Sequence, residues 1–213
     1  MHEITATLAR AALRHVPFDG WSDATLLAAA RDIGIDPALA RVHMPRGGAD
    51  LALTAHRLGD EALRARAAET DLTALRFRER ITELVMMRLG AAGDREAVRA
   101  ATALLALPHL APEGAGALWR TADLIWKLAG DESSGPAYYT KRITLSAVYS
   151  ATLLYWLGDD SADHADTRAF LDRRIADVMR FEQLKAGVRK GPLSAPLRIL
   201  SRTPACQDRG QNQ

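Results

Sequence analysis

Apolar residues recur at helical spacing along almost the whole chain. The most regular stripe consists of Leu118, Ala122, Ile125, Trp126 and Ala129. These residues fall at i, i+4, i+7, i+8 and i+11, which is one face of an α-helix. Glycine- and proline-containing stretches interrupt such patterns. They separate about nine predicted helices, at 3–16, 23–33, 37–43, 49–69, 72–89, 94–107, 114–129, 137–157 and 163–185.

The predicted helix at 137–157 is apolar on two sides. Its first stripe comprises Leu145, Val148, Tyr149, Thr152, Leu153 and Trp156, and its second Ile143, Ala147, Ala151 and Leu154. The uncharged stretch, residues 143–158, is too short to span a bilayer. A helix with two apolar faces has to be covered on both. It therefore runs through the centre of the domain, or packs one face against a second subunit.

Composition supports an all-α fold. The 213 residues include 40 Ala and 29 Leu but only 15 Ile and Val together. Alanine and leucine favour helices, whereas β-branched residues favour strands. The single cysteine, Cys206, excludes an intramolecular disulfide and indicates a reducing compartment.

Positive charge is concentrated at the C-terminal end. The net charge is +2, but residues 180–213 carry seven basic and two acidic groups. This distribution predicts that the tail, residues 186–213, meets an anionic membrane surface. The candidate contact residues are Lys185, Arg189, Lys190, Leu193, Leu197, Arg198, Ile199 and Leu200. Because prolines interrupt this segment, we expect weak, reversible binding; the alternative is a solvated tail that aids solubility.

The sequence contains no pattern that indicates catalysis. The six histidines are His2, His15, His43, His56, His109 and His164. None lies four residues from another, so no helical pair can hold a metal, and each is expected at the surface or in a helix cap. Nucleophile and phosphate-binding motifs are also missing. The sequence predicts a binding protein rather than an enzyme, without a cofactor or metal.

The first fifty residues resemble the DNA-binding module of tetracycline-repressor-type regulators. They predict a helix-turn-helix between Ala11 and Leu53. Residues 1–50 hold five arginines but six acidic residues, which disfavours binding to phosphates. We therefore expect a degenerate helix-turn-helix at 1–48 that binds no nucleic acid, a helical ligand-binding domain at 49–185, and the tail. A ligand-responsive transcriptional regulator is the alternative.

The second half of the chain resembles the ubiquinone-biosynthesis Coq-nine family. The resemblance rests on Leu107-Pro108-His109, Ala129-Gly130-Asp131, Tyr139-Thr140-Lys141-Arg142, Tyr149, Asp160-Ser161, Asp166-Thr167, Phe170-Leu171 and Arg174. The N-terminal stretch Ala11-Ala12-Leu13, Val16-Pro17 and Gly20-Trp21 also resembles the opening helix and turn of the family, so the resemblance covers about residues 4–185. It implies a tetracycline-repressor-like fold without DNA binding, a homodimer and a bound lipid. It also implies an accessory role that presents a quinone intermediate to the di-iron demethoxyubiquinone hydroxylase.

The resemblance implies a docking surface for the hydroxylase. The matching positions are Asp123, Ile125, Tyr138 and Tyr139, with Tyr138 where the family often has tryptophan. The alternative is that both tyrosines are half-buried at a helix start.

The excess of apolar stripes predicts a lipid pocket between the helices from 72 to 157. It would hold an isoprenoid quinone or a phospholipid. The candidate lining residues are Met86, Met87, Leu105, Tyr149 and Leu153, although both methionines fit a plain core equally well.

The first residues show no secretory signal, and we expect a bacterial cytoplasmic protein, peripheral on the inner face of the membrane.

Overall fold

A computed structural model describes the backbone of residues 2–190, with side chains from Glu3 to Val178 and at Arg180. It contains ten α-helices and one 3₁₀ turn in this range. The helices are α1 His2–Ala12, α2 Val16–Asp19, α3 Asp23–Asp32, α4 Pro37–His43, α5 Gly48–Glu69, α6 Phe77–Gly90, α7 Arg95–Leu105, α8 Ala111–Leu128, α9 Gly135–Trp156 and α10 Ala165–Lys190, with the 3₁₀ turn at Ala162–His164. The prediction of an all-α protein is confirmed.

The nine predicted helices are present, and the differences lie at their ends. The predicted helix 3–16 stops at Ala12, and a separate short helix follows, because Pro17 lacks the N–H that would continue the first. Helix α6 starts at Phe77 instead of residue 72. Asp71 accepts hydrogen bonds from the backbone and hydroxyl of Thr73, which fixes a turn before the helix.

Residues 1–175 form one compact unit, in which α5 packs against α1, α3, α6, α7 and α8. The first helices share a core with the rest of this unit. Leu8, Leu26 and Met44 are buried together, and the indole of Trp21 donates a 2.9 Å hydrogen bond to the carbonyl of Ala97 on α7. The second unit begins at Ala176, and its described part is the end of α10.

Helix α4 occupies the place of a recognition helix, but its outer face is apolar. Val42 is 74% exposed, and Leu39 beside it is also exposed. The basic residue of this helix, Arg41, pairs with Asp23 at 3.1 Å. The face that would read DNA therefore offers neither free positive charge nor the polar side chains that contact base edges.

Helix α9 is buried on one side and exposed on the other. Leu145, Val148 and Tyr149 of the first stripe are buried, whereas Ile143 and Leu154 of the second are about 60% exposed. The helix therefore lies at the side of its unit and not at its centre.

A buried carboxylate organises the connection from α9 to α10. Asp159 accepts hydrogen bonds from the backbone N–H and hydroxyl of Ser161, at 2.9 and 2.6 Å, and from the same two groups of Thr167. Burial alone would raise the pKa of Asp159, but these hydrogen bonds lower it well below its usual value. Within residues 2–190, none of the helices is both long and apolar enough to cross a membrane.

Candidate functional site

A cavity of about 360 Å³ lies between α5, α7, α8 and α9. Small side chains make up much of its wall, namely Ala97, Ala101, Ala106, Ala111, Ala115 and Ala117. Larger residues at these positions would fill the space, so the alanine-rich composition of α7 and α8 creates the cavity. Leu13 and Trp21 also line it. The site is therefore wider than the predicted pocket between residues 72 and 157, because α5 and the N-terminal region contribute to it.

The mouth of the cavity is apolar. The lining residues Ala106, Ala111, Ala115 and Leu154 are exposed to solvent, which places the opening between the end of α7, the start of α8 and the outer face of α9. Leu154 belongs to the exposed second stripe of α9. A ligand that enters the cavity would therefore pass apolar side chains at the opening.

The buried end of the cavity carries an ion pair. The guanidinium of Arg88, 2% exposed, donates from Nε to the carboxylate of Asp60 at 2.7 Å and from Nη2 to the carbonyl of His56 at 2.9 Å. Gly59 leaves the space for this guanidinium, because a Cβ there would lie 2.6 Å from Arg88 Nη1. A buried pair of this kind is tolerated only when its hydrogen bonds are satisfied.

His56 and Thr121 extend the ion pair into a hydrogen-bonded chain. The hydroxyl of Thr121 donates to Asp60 at 2.8 Å, and its oxygen lies 2.9 Å from Nε2 of His56. Because the single hydroxyl proton points to Asp60, the tautomer that fits has Nε2 of His56 as the donor. Burial, assisted by the positive charge of Arg88, lowers the pKa of His56 to about 4. His56 is therefore uncharged at neutral pH.

Tyr149 completes the buried end from α9. Its side chain is buried and lines the cavity beside Arg88 and Asp60. Burial raises the pKa of its phenol, so the group is an uncharged O–H. Its hydroxyl is hydrogen-bonded to no other described side chain, which leaves it able to donate to a ligand oxygen.

The lining of the cavity is suited to binding a small molecule. The cavity combines an apolar wall with a few convergent polar groups, which is typical of sites for small amphipathic molecules. No group of three or more histidine, cysteine or acidic side chains placed to hold a metal occurs among the described residues.

The structure places three of the five predicted pocket residues in the wall: Leu105, Tyr149 and Leu153. The other two, Met86 and Met87, do not line this cavity. Ile81, Leu84 and Val85 form the buried face of α6, and Arg88 is the next residue along the same face. The methionines fall on the flanks and are half-buried.

Of the polar residues at the buried end, Tyr149 was predicted, whereas His56, Asp60 and Arg88 were not. His56 was expected at the surface or in a cap, but it is part of the cavity wall. The sequence could have indicated Arg88 as a buried charged residue, because it lies seven residues after Ile81 on an otherwise apolar helical face. Its partner Asp60 lies 28 residues earlier in the chain, so only the fold brings the two together.

The predicted docking residues divide between surface and core. Tyr139 is 60% exposed, and its ring packs 5.2 Å from that of half-buried Tyr138 and 6.2 Å from that of Trp119. Half-burial therefore describes Tyr138 but not Tyr139. Ile125 is fully buried, which corrects its expected surface position, because it faces the core from the inner side of α8.

Asp123 is held by an intramolecular network. Its carboxylate accepts from Tyr138 Oη at 3.0 Å, from Arg142 Nε at 2.8 Å and from Lys127 Nζ at 2.7 Å. Partial burial opposes ionisation, but these hydrogen bonds lower the pKa of Asp123. The guanidinium of Arg142 also lies 3.5 Å from the centre of the Tyr138 ring. Asp123 and Tyr138 are therefore held in place by contacts within the chain.

The predicted membrane-contact residues are only partly described. Lys185, Arg189 and Lys190 belong to the backbone of α10, which continues past the predicted end at residue 185. Leu193, Leu197, Arg198, Ile199 and Leu200 lie outside the described residues.

Comparison with solved structures supports the fold. A TetR transcriptional regulator from Nitrosomonas europaea ATCC 19718 superposes with a TM-score of 0.67 and 20% sequence identity, covering 82% of this chain and 97% of the regulator. At this identity the similarity concerns the fold alone. The expectation of a tetracycline-repressor-like architecture is confirmed.

Comparison of sequences identifies relatives. Ubiquinone biosynthesis protein COQ9, mitochondrial, from Homo sapiens is 30% identical over 176 residues, which are 79% of this chain and 55% of that protein. The protein of the same name from Drosophila melanogaster is 29% identical over 188 residues, 85% of this chain and 57% of the relative. The chain thus spans about half the length of these relatives. Residues 111–182 match the COQ9 family model. This match, together with relatives that are similar across most of the chain, shows that the protein is similar to the COQ9 family.

Proposed function

We propose that this protein is a non-catalytic, lipid-binding accessory protein of ubiquinone biosynthesis. The observation that carries the proposal is the cavity, which has an apolar mouth and wall and a small set of polar groups at its buried end. Its size falls near the lower limit of small-molecule sites. Names of the relatives point to the same pathway. The ligand is an isoprenoid quinone or a phospholipid.

Native mass spectrometry of the purified full chain, followed by solvent extraction, tests this function. We expect a co-purifying lipid, or uptake of an added quinone analogue by stripped protein. Ala101→Phe on α7 should reduce uptake because it fills the cavity, whereas Ala38→Phe on the exposed face of α4 is the matched control. Absence of lipid together with absence of uptake would contradict the proposal.

A second part of the proposal is presentation of the lipid to the di-iron demethoxyubiquinone hydroxylase. The exposed ring of Tyr139, with Trp119 behind it, supplies an aromatic surface of the type found at interaction hot spots. Ile125 is not part of this surface, and Asp123 acts by holding Tyr138.

The exposed stripe of α9 supports a homodimer. Ile143 and Leu154 present large apolar side chains to solvent on a helix that is uncharged at this face. Burial of such a stripe against a second copy would remove apolar area from water. Light scattering should show a dimer for the chain and a monomer for Ile143→Asp, which lies on the stripe but does not line the cavity; a monomeric parent chain would contradict this part of the proposal.

We also propose a peripheral place on an anionic membrane; the relatives are mitochondrial by name, so the expected bacterial cytoplasm is not part of this proposal. The support is the basic charge of residues 180–213. Each basic group near such a surface contributes roughly 1 kcal/mol at low salt. The full chain should float with anionic liposomes, and a chain ending at Lys185 should float much less. Equal flotation would place the membrane contact elsewhere.

Nucleic acid is not among the proposed partners, although the fold is that of a regulator. The apolar face of α4 and the pairing of Arg41 with Asp23 argue against a duplex. At roughly 50 mM salt, where phosphate-driven binding is strong, we expect weak binding at most. Tight, sequence-selective binding by a chain lacking residues 186–213 would favour the regulator instead.

A further inference from the structure

The charges at the buried end of the cavity cancel. Arg88 and Asp60 form a pair at 2.7 Å, and the other titratable side chains that line the space, His56 and Tyr149, are uncharged at neutral pH. Thr102 and Ser150, which also line it, carry no charge. Arg120 also acts on His56, but it is exposed to solvent, which screens its charge. The buried end therefore offers hydrogen bonds without net charge.

The polar and apolar parts of the cavity are at opposite depths. The polar end is buried, since Arg88 and Tyr149 are almost inaccessible, whereas Leu154 and Ala115 at the mouth are exposed. Tyr149 and Leu154 lie on the same helix, five residues or roughly 7.5 Å apart along its axis. An amphipathic molecule gains most when its polar part reaches the deep end and its hydrocarbon part lies along the alanine wall to the opening.

We propose that the cavity binds its ligand head first: an uncharged, oxygen-bearing ring lies at the buried end beside Tyr149, Arg88 and His56, and the hydrocarbon chain leaves through the mouth. This inference rests on the proposed lipid-binding function and specifies the orientation and the head group. A volume of about 360 Å³ suits a head group and the first part of a chain. The rest of a long isoprenoid has to lie outside.

The same geometry disfavours a phosphate head group. A phosphate at the buried end would introduce a negative charge beside Asp60, and Arg88 is already neutralised by that carboxylate. Burial of an uncompensated charge is strongly unfavourable. A ring carbonyl or hydroxyl needs only a hydrogen bond, which the hydroxyl of Tyr149 can donate. Tyr149 is thus the specificity-determining residue of the site.

Orientation is tested with two fluorescent forms of decyl-benzoquinone, bound to the delipidated full chain. One form carries the fluorophore at the end of the alkyl chain, and the other carries it on the ring. We expect the chain-labelled form to bind as well as unlabelled quinone, because that end lies at the mouth, and the ring-labelled form to fail. Binding of the ring-labelled form alone would overturn the head-first orientation but leave lipid binding intact. Failure of unlabelled quinone would overturn both proposals.

The role of the head group is tested with Tyr149→Phe. Loss of one hydrogen bond should weaken unlabelled quinone about tenfold, while an isoprenoid hydrocarbon without a ring should bind as before. Equal loss for both ligands would show that Tyr149 only shapes the cavity and would contradict the specificity role. Asp60→Asn leaves the charge of Arg88 unbalanced, so it should shift preference from quinone towards phosphatidylglycerol. If that variant does not fold, the Tyr149→Phe comparison decides the matter.

Discussion

The hydroxyl of Tyr138 donates a hydrogen bond to the carboxylate of Asp123, 3.0 Å away across the α8–α9 pair. The neighbouring ring of Tyr139 points outwards and is mostly exposed. Adjacent tyrosines in the chain therefore have different tasks: one joins two helices, and the other is available to a partner. Substituting each tyrosine alone distinguishes a loss of stability from a loss of binding, whereas substituting both together does not.

Tyr138→Phe should lower the free energy of unfolding by about 1 kcal/mol, because it removes a hydrogen bond to a charged group at a half-buried site. Tyr139→Ala should change stability by less than about 0.5 kcal/mol and weaken binding to the hydroxylase by roughly 2 kcal/mol. Denaturant unfolding and co-purification measure the two effects. Unchanged co-purification of Tyr139→Ala would remove this residue from the docking surface.

His56 should make stability depend on pH in the weakly acidic range. Its pKa is lowered from 6.5 to about 4 by burial and by Arg88, so the unfolded chain binds a proton that the folded chain rejects. Stability contributed by the neutral histidine is therefore present above pH 6.5 and is lost as the pH falls towards 4. The full loss is about 3 kcal/mol.

His56→Gln should flatten this dependence when unfolding is measured across that pH range. His109→Gln, at an exposed position, serves as the matched control and should preserve the slope of the parent chain. An unchanged slope in His56→Gln would show that other groups cause the acid sensitivity.

Gly59→Ala should destabilise the protein through Arg88. A methyl group at Gly59 would lie within 3 Å of three guanidinium atoms, and Arg88 cannot move without leaving Asp60. We expect a loss of about 2 to 4 kcal/mol, measured by urea unfolding. Gly116→Ala is the matched control on α8, because its methyl would meet Arg120 at an ordinary 3.4 Å. That control should be neutral or more stable, and equal losses would exclude the Arg88 explanation.

Asp159→Asn should destabilise the start of α10. The carboxylate of Asp159 accepts four hydrogen bonds, and an amide can replace only some of them, so we expect a loss of about 2 to 3 kcal/mol. The lowered pKa of Asp159 also means that its contribution is lost only as the pH falls below about 4. Thermal melting of the neighbouring Asp160→Asn, an exposed position, should differ little from the parent; a similar loss there would contradict the role assigned to Asp159.

Periodicity in the sequence was sufficient to predict the nine long helices and the buried stripe of α9. Residues three and four positions apart share one face of a helix. The spacing of Leu145, Val148 and Tyr149 therefore predicted both the helix and its buried face. The break after Ala12 and the turn before Phe77 depend on a single proline and on the hydrogen bonds of Asp71. Such local chemistry shifts helix ends without changing the apolar pattern.

The polar end of the cavity could not be predicted in the same way. His56 and Thr121 are 65 residues apart in the chain, and so their hydrogen bond depends on how α5 packs on α8. A histidine with a hydrogen-bond partner and a histidine at the surface look alike in sequence. The resemblance to a family predicted a lipid ligand, whereas the proposal for which part of that ligand is buried rests on the contacts of Arg88 and Tyr149.

The alanine wall of the cavity would make the abundance of this protein depend on the proposed lipid ligand. Empty space inside a domain lacks the dispersion contacts that packed side chains would supply, and a bound hydrocarbon restores them. A ligand present at 100 times its Kd stabilises the folded state by about 2.7 kcal/mol. Changes of this size alter how often a chain unfolds and is degraded in a cell. If the proposed lipid binds there, the alanines at 97, 101, 106, 111, 115 and 117 link the lifetime of the protein to the supply of that lipid.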